Sequence, residues 1–123
     1  MFKHNDYILD QIEMLGDFLR TVFNQESEPI AQVFNEDGSF SATNFLKYRL
    51  KKMLLEGQIN EAENILFDEI KKSPEYSYLD VALYFYKELL KLDKKTLIKQ
   101  GFSEQEIVEG LNDIKKIYKV INE

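Results

Sequence analysis

The stretch that decides the fold runs from Asn44 to Pro74 and reads NFLKYRLKKMLLEGQINEAENILFDEIKKSP. Its first half carries apolar residues at helical spacing up to Gly57, and glycine suits the left-handed conformation that commonly ends a helix. Asn60, followed three residues later by Glu63, predicts a capping box at the start of a second helix, which Pro74 stops. The stretch therefore predicts two helices joined by a tight turn.

Helical patterns also flank this stretch, and no segment shows the period-two alternation of a strand. The first predicted helix runs from Asp6 to about Phe23 with Asn5 as its cap, and the first hairpin helix has its cap at Ser41 or Thr43. A further helix is predicted from the cap Ser77 to about Leu92, and a short helix from Lys94 to Gln100 between Asp93 and Gly101. A Ser103–Glu106 capping box predicts the start of the last helix. Residues 24–42 break the pattern, with Pro29 suited to open a short helix and Asp37-Gly38 to form a turn.

The helix from Ser77 is apolar nearly all round, which is typical of a helix buried on several sides. At 123 residues the chain fits one compact domain. The predicted fold class is therefore all-α, a compact bundle of about five to six helices that contains the hairpin, in a single domain over residues 1–123.

The hairpin from about Leu46 to Pro74 resembles a single tetratricopeptide repeat, which has a small residue at the turn, Ala at the helix contact and Pro after the second helix. Those positions are occupied by Gly57, Ala62 and Pro74. Arg49 and Glu69 depart from the pattern and no second copy follows, so the resemblance implies one hairpin and not a solenoid. The whole chain is also similar to small bacterial helical proteins of unassigned function, and this resemblance implies no activity or site residue.

Composition excludes several classes of function. The net charge of −6 leaves no excess positive charge to neutralise phosphates, so neither nucleic acid nor an anionic membrane is an expected partner. The chain has no cysteine, which excludes a disulfide framework and thiol catalysis and fits a reducing cytosol. No run approaches the ~18 apolar residues of a membrane span. A cytoplasmic protein is therefore expected.

No motif predicts catalysis, a cofactor or a metal site. His4 is the only histidine and lies near a terminus, and the chain has no glycine-rich phosphate loop. The string from Asn35 to Gly38 suggests calcium, but Val33 and Asn44 stand where an EF-hand needs acidic ligands. The prediction is therefore a protein that is not an enzyme and has no cofactor.

Three side-chain clusters remain to be assigned. The first helix carries an acidic stripe of Asp6, Asp10, Glu13 and Asp17. We interpret it as a solvated helix surface, and the alternative is a site for a cation or a basic partner. A basic cluster consists of Lys47, Arg49, Lys51 and Lys52, interleaved with Tyr48. We interpret it as a solvated helix face, and the alternative is a binding site for an acidic partner or RNA. An aromatic group forms either core or an interface; it consists of Tyr76, Tyr78, Tyr84, Phe85 and Tyr86.

The leading functional hypothesis is a small protein-protein interaction module, because helical hairpins offer grooves to peptides and partner helices. The expected partner contacts are Tyr48, Arg49, Tyr76 and Tyr78, the last two exposed ahead of their helix. One alternative is a structural homo-oligomer that buries the aromatic helix across a symmetric interface. The other is a helical bundle with a small-molecule pocket.

Overall fold

The computed structural model describes residues 4–23 and 41–120, and the side chains of residues 6–21 and 41–120. Within these ranges the chain forms six helices and no strand: α1 (His4–Phe23), α2 (Ala42–Leu55), α3 (Ile59–Lys72), α4 (Tyr76–Leu90), α5 (Lys94–Lys99) and α6 (Glu104–Ile117). The predicted all-α bundle of about five to six helices is confirmed. The predictions for Pro29, for the Asp37-Gly38 turn and for the His4 side chain lie outside the described residues.

Helix α4 is the centre of the bundle, as its apolar circumference predicts. It contacts α1, α2, α3 and α6, so nearly every side of it is covered by another helix. Its buried residues are Leu79, Asp80, Val81, Ala82, Leu83, Phe85, Tyr86, Glu88 and Leu89. Two of these, Asp80 and Glu88, carry a carboxylate, and both carboxylates form ion pairs with lysines of α2.

Three of the predicted N-terminal caps are confirmed, and each depends on a neighbour three residues away. The confirmed caps are Ser41, whose Oγ accepts from the N–H of Asn44 (3.2 Å), Asp93, whose carboxylate accepts from the N–H of Thr96 (2.7 Å), and the Ser103–Glu106 capping box. Gly57 and Gly101 end α2 and α5 with φ of 79° and 75°, which other residues adopt only with strain.

The predicted capping box of Asn60 and Glu63 is wrong. Helix α3 starts at Ile59 after Gln58, which makes no side-chain cap. Ile59 is buried, so its packing favours a helix that starts two residues earlier than predicted. Asn60 instead donates a long hydrogen bond to the carbonyl of Gly101 (3.4 Å), and Glu63 binds a tyrosine of α4.

Two other helix starts also differ from the prediction. Asn5 lies inside α1 and therefore is not its cap. Helix α4 begins at Tyr76, ahead of the predicted cap Ser77, and Glu75 occupies the cap position without a side-chain hydrogen bond. The aromatic packing of Tyr76 against α1 described below accounts for this earlier start of α4.

Helices α2 and α3 contact each other on either side of the turn at residues 56–58. Ala62 is fully buried, and Pro74 follows the end of α3. The small residue therefore lies where a close approach of helices needs it. The likeness of this pair to a tetratricopeptide repeat stays a prediction.

Candidate interaction surface

Helix α2 has one buried side and one exposed side. The buried side carries Leu46, Lys47, Leu50 and Leu54. On the other side the exposed fractions are 42% for Phe45, 53% for Tyr48 and 72% for Leu55, and Arg49 and Lys52 are exposed beside them. Spacings of three and seven residues place side chains on the same side of a helix. We call these five residues the α2 face.

A buried ion pair anchors α2 to α4. Lys47 Nζ donates to Asp80 Oδ2 at 2.6 Å, and the two side chains are only 3% and 6% exposed. The same ammonium lies 5.7 Å from the ring centroid of Tyr84, within cation–π range. The predicted solvated position of Lys47 is therefore wrong, because its partner lies 33 residues away on another helix.

A second set of charges joins the same two helices further along. Lys51 pairs with Glu88, which also accepts from Lys91 at 2.7 Å. Burial acts to raise the pKa of Glu88, but the hydrogen bonds and charges of these two lysines lower it below its ordinary value. Burial and then the charge of Glu88 raise the pKa of Tyr84 to about 12. Of the predicted basic cluster, only Arg49 and Lys52 are exposed on the α2 face.

The four predicted partner contacts lie in two different places. Tyr48 and Arg49 lie together on the α2 face. Tyr76 and Tyr78 are half-buried in the first turn of α4, so the expectation that they are exposed ahead of the helix is wrong.

Tyr76 belongs to an aromatic cluster between α1 and α6. Its ring centroid lies 5.8 Å from that of Phe18 in an edge-to-face contact, and 5.8 Å from that of Tyr118. The hydroxyl of Tyr118 donates to the carbonyl of Glu75 at 2.9 Å, and burial raises the pKa of Tyr118. Tyr76 therefore packs the start of α4 against its neighbours.

The rest of the aromatic group divides between core and surface. Phe85 and Tyr86 are fully buried, with their ring centroids 5.1 Å apart. Tyr84 is half-buried. The core interpretation is therefore confirmed for Phe85 and Tyr86.

A cleft of about 520 Å³ lies between α3 and α6. It is lined by Glu63, Asn64, Phe67, Lys71, Glu106, Glu109, Asp113, Lys116 and Ile117. Beside it, the buried Tyr86 hydroxyl donates to Glu63 Oε2 at 2.7 Å. The bond passes Gly110, where an added Cβ would lie 2.0 Å from the tyrosine oxygen. Gly110 thus lets a tyrosine of α4 reach a carboxylate of α3 across α6.

The charge environment of Glu63 disfavours its ionised form. Burial is the main cause that raises its pKa, the Tyr86 hydrogen bond opposes it, and the charges of Glu106, Asp113 and Glu109 raise it further. Sequence reasoning did not find this site. The one local signal was Gly110, a glycine inside a well-capped amphipathic helix, where intrinsic helix propensity alone would favour alanine.

Replacing Glu63 with glutamine is therefore expected to raise the free energy of unfolding at neutral pH by up to about 1 kcal/mol. The amide oxygen still accepts from Tyr86, while the ionised carboxylate is removed. Because the folded-state pKa is raised above the ordinary value of 4.5, the gain is full above the folded pKa and is lost as the pH falls through it. Urea unfolding of both proteins between about pH 4 and pH 8 measures this difference. Glu61→Gln, an exposed change on the same helix, is the control, and a pH-independent difference for Glu63→Gln contradicts the prediction.

An acidic surface lies on the outer side of α1. Its exposed residues are Asp6, Asp10, Glu13 and Asp17, with Leu9 44% exposed among them. A groove of about 490 Å³ runs beside Leu9 and Glu13, and its α4 rim carries Lys87, Leu90 and Lys91. We call the five exposed α1 residues the α1 face.

Two classes of site are not found in the described parts of the chain. No helix there is long and apolar enough to cross a membrane. Nor do three or more side chains of His, Asp or Glu within residues 6–21 and 41–120 form a group that could hold a metal ion.

Comparison with known proteins identifies a family. No curated protein and no solved structure matches the chain. The model of a family of unknown function (DUF6483) matches residues 1–119, so the α1 and α2 faces and the cleft all lie within the matched region. The bacterial origin implied by the resemblance stays a prediction. With this match over nearly its whole length, the chain belongs to the DUF6483 family of unknown function.

Proposed function

We propose that the protein is a protein-interaction module that binds its partner through the α2 face. The observation that carries the proposal is the concentration of exposed apolar area. Of the five large apolar side chains that are exposed in the described residues, three lie on this side of one helix: Phe45, Tyr48 and Leu55. Single exposed apolar residues are ordinary, but an apolar patch rimmed by charge is typical of binding surfaces.

The residue types on the α2 face suit recognition. Tyrosine and arginine are enriched among the residues that contribute most to binding energy, and Tyr48 and Arg49 are adjacent here. Tyr48 offers a rigid ring with a polar tip, while Arg49 and Lys52 favour a partner that carries carboxylates.

The opposite side of α2 supports the face. Leu46, Leu50 and Leu54 are buried, and the Lys47–Asp80 pair ties the helix to the centre of the bundle. A face on an anchored helix loses little conformational entropy when a partner binds. The module as proposed has no catalytic activity and no cofactor, and the cysteine-free composition supports a cytoplasmic location.

Photocrosslinking in the cells that make the protein tests the proposal. Tyr48 is replaced by the photoreactive p-benzoylphenylalanine, which keeps an aromatic ring at the position. We expect one protein adduct, and we expect Leu55→Asp to abolish it because a carboxylate cannot be buried unpaired in an apolar contact. The matched control places the same photoreactive residue at Ile98, which is exposed on α5 away from the α2 face. The same products at both positions, or none at position 48, contradict the proposal.

A further inference from the structure

We infer that the partner of the α2 face is a second copy of this chain, bound through its α1 face. The inference depends on the proposed function of the α2 face and adds the identity of the partner. It starts from a correspondence between the two exposed surfaces.

The two faces carry the same spacing of apolar and charged side chains with opposite sign. On α1 the exposed set is Leu9, Asp10 and Glu13, and on α2 it is Tyr48, Arg49 and Lys52. In both sets an apolar residue is followed by charges one and four positions later. Because both segments are α-helical, the equal spacing gives both faces the same layout, with an apolar side and a charged side. Packed face to face, the helices can join apolar to apolar and cation to carboxylate.

The groove beside the α1 face provides space for an apolar side chain of α2. Its volume of about 490 Å³ lies next to Leu9, and Leu90 lines its other wall. Lys87 and Lys91 lie on that far wall and repel the cations of a docked α2. Those cations are therefore directed away from the far wall and toward the carboxylates of α1. Tyr48 and Leu55, the two most exposed apolar residues of α2, are the side chains that the groove would cover.

Both complementary surfaces belong to one chain, so every copy supplies the partner of the next. Such pairing of two different faces is head to tail, and it builds open chains of copies unless the rotation closes a ring. The mean mass is therefore expected to keep rising with concentration and not to stop at a fixed dimer.

Charge reversal tests the inference with the purified chain alone. One variant is Arg49→Glu/Lys52→Glu, and the other is Asp10→Lys/Glu13→Lys. Each variant gives its α1 face and its α2 face charges of the same sign. The dissociation constant for self-association of each variant is therefore expected to rise about tenfold or more. An equimolar mixture restores opposite charges at every contact and is expected to recover the association of the wild type. Sedimentation velocity from about 10 µM to about 1 mM covers the range of weak interfaces.

The control is Lys95→Glu/Lys99→Glu on α5, which changes the net charge as much as the α2 reversal but leaves both faces intact. It is expected to associate like the wild type. Circular dichroism checks that each variant folds. If a reversal variant fails to fold, the neutral pair Arg49→Gln/Lys52→Gln replaces it and is expected to weaken association about threefold or more.

Three results overturn the inference. They are a wild type that stays monomeric throughout, an Asp10→Lys/Glu13→Lys variant that associates as well as the wild type, and a mixture that recovers nothing. If position 48 then still crosslinks one different protein, the proposed function stands and only the second copy is excluded as its partner.

Discussion

Replacing Asp80 with asparagine is expected to lower the free energy of unfolding by about 3–5 kcal/mol. Asparagine keeps the shape of aspartate, so the effect comes from charge and not from a cavity. The change removes the negative charge that lies 2.6 Å from the ammonium of Lys47, and that side chain is only 3% exposed. Oδ1 of Asp80 accepts no hydrogen bond within the described residues, so the contact through Oδ2 is the one that the substitution weakens.

Urea unfolding followed by circular dichroism at pH 7 measures the effect. Lys47→Met is expected to destabilise by a similar amount, since it leaves the carboxylate buried and unpaired. The double variant is expected to lose clearly less than the sum of the two, because it buries no unpaired charge. The control is Lys72→Met, which breaks an exposed 3.5 Å pair with Glu69 and should change stability by less than about 0.5 kcal/mol. An Asp80→Asn variant as stable as this control contradicts the prediction.

Replacing Gly110 with alanine is expected to destabilise the protein by about 3 kcal/mol. The new methyl group would lie 2.0 Å from the hydroxyl oxygen of Tyr86 and 2.8 Å from Cζ of the same ring. Tyr86 is fully buried, so its ring cannot swing away without disturbing the core and its hydrogen bond to Glu63. This loss outweighs the ~1 kcal/mol that alanine gains over glycine inside a helix.

Gly16 provides a matched control on another helix. An added Cβ there meets no heavy atom of the described residues within 4 Å, so Gly16→Ala keeps only the gain in helix propensity. It is expected to stabilise by up to about 1 kcal/mol. Thermal unfolding of both variants decides the matter, and a Gly110→Ala protein that melts at or above the wild type contradicts the close contact.

The helices and three of their six N-terminal caps could be predicted because they depend on neighbours in the sequence. Ser103 and Glu106 are three residues apart, and the capping box they form needs no other part of the chain. Local reasoning failed where distant contacts decide. Asn60 and Glu63 have the same spacing, but the burial of Ile59 and the bond from Tyr86 give the segment another start.

The candidate binding surface was only half predictable. The Tyr48 and Arg49 positions follow from their place on the outer side of an amphipathic helix. The role of Lys47 does not, because a lysine two positions before Arg49 has the same local signature whether it is solvated or buried. Its burial depends on Asp80, which reaches it only because α2 packs on α4.

The sequence by itself determined the helical class, the central place of α4, both ends of α5 and the start of α6, since apolar periodicity and capping act within a few residues. Only the tertiary structure decided which charges are buried and where Gly110 admits the Tyr86 hydroxyl. Those features join residues more than twenty positions apart, and their free energies exist only once the helices have packed.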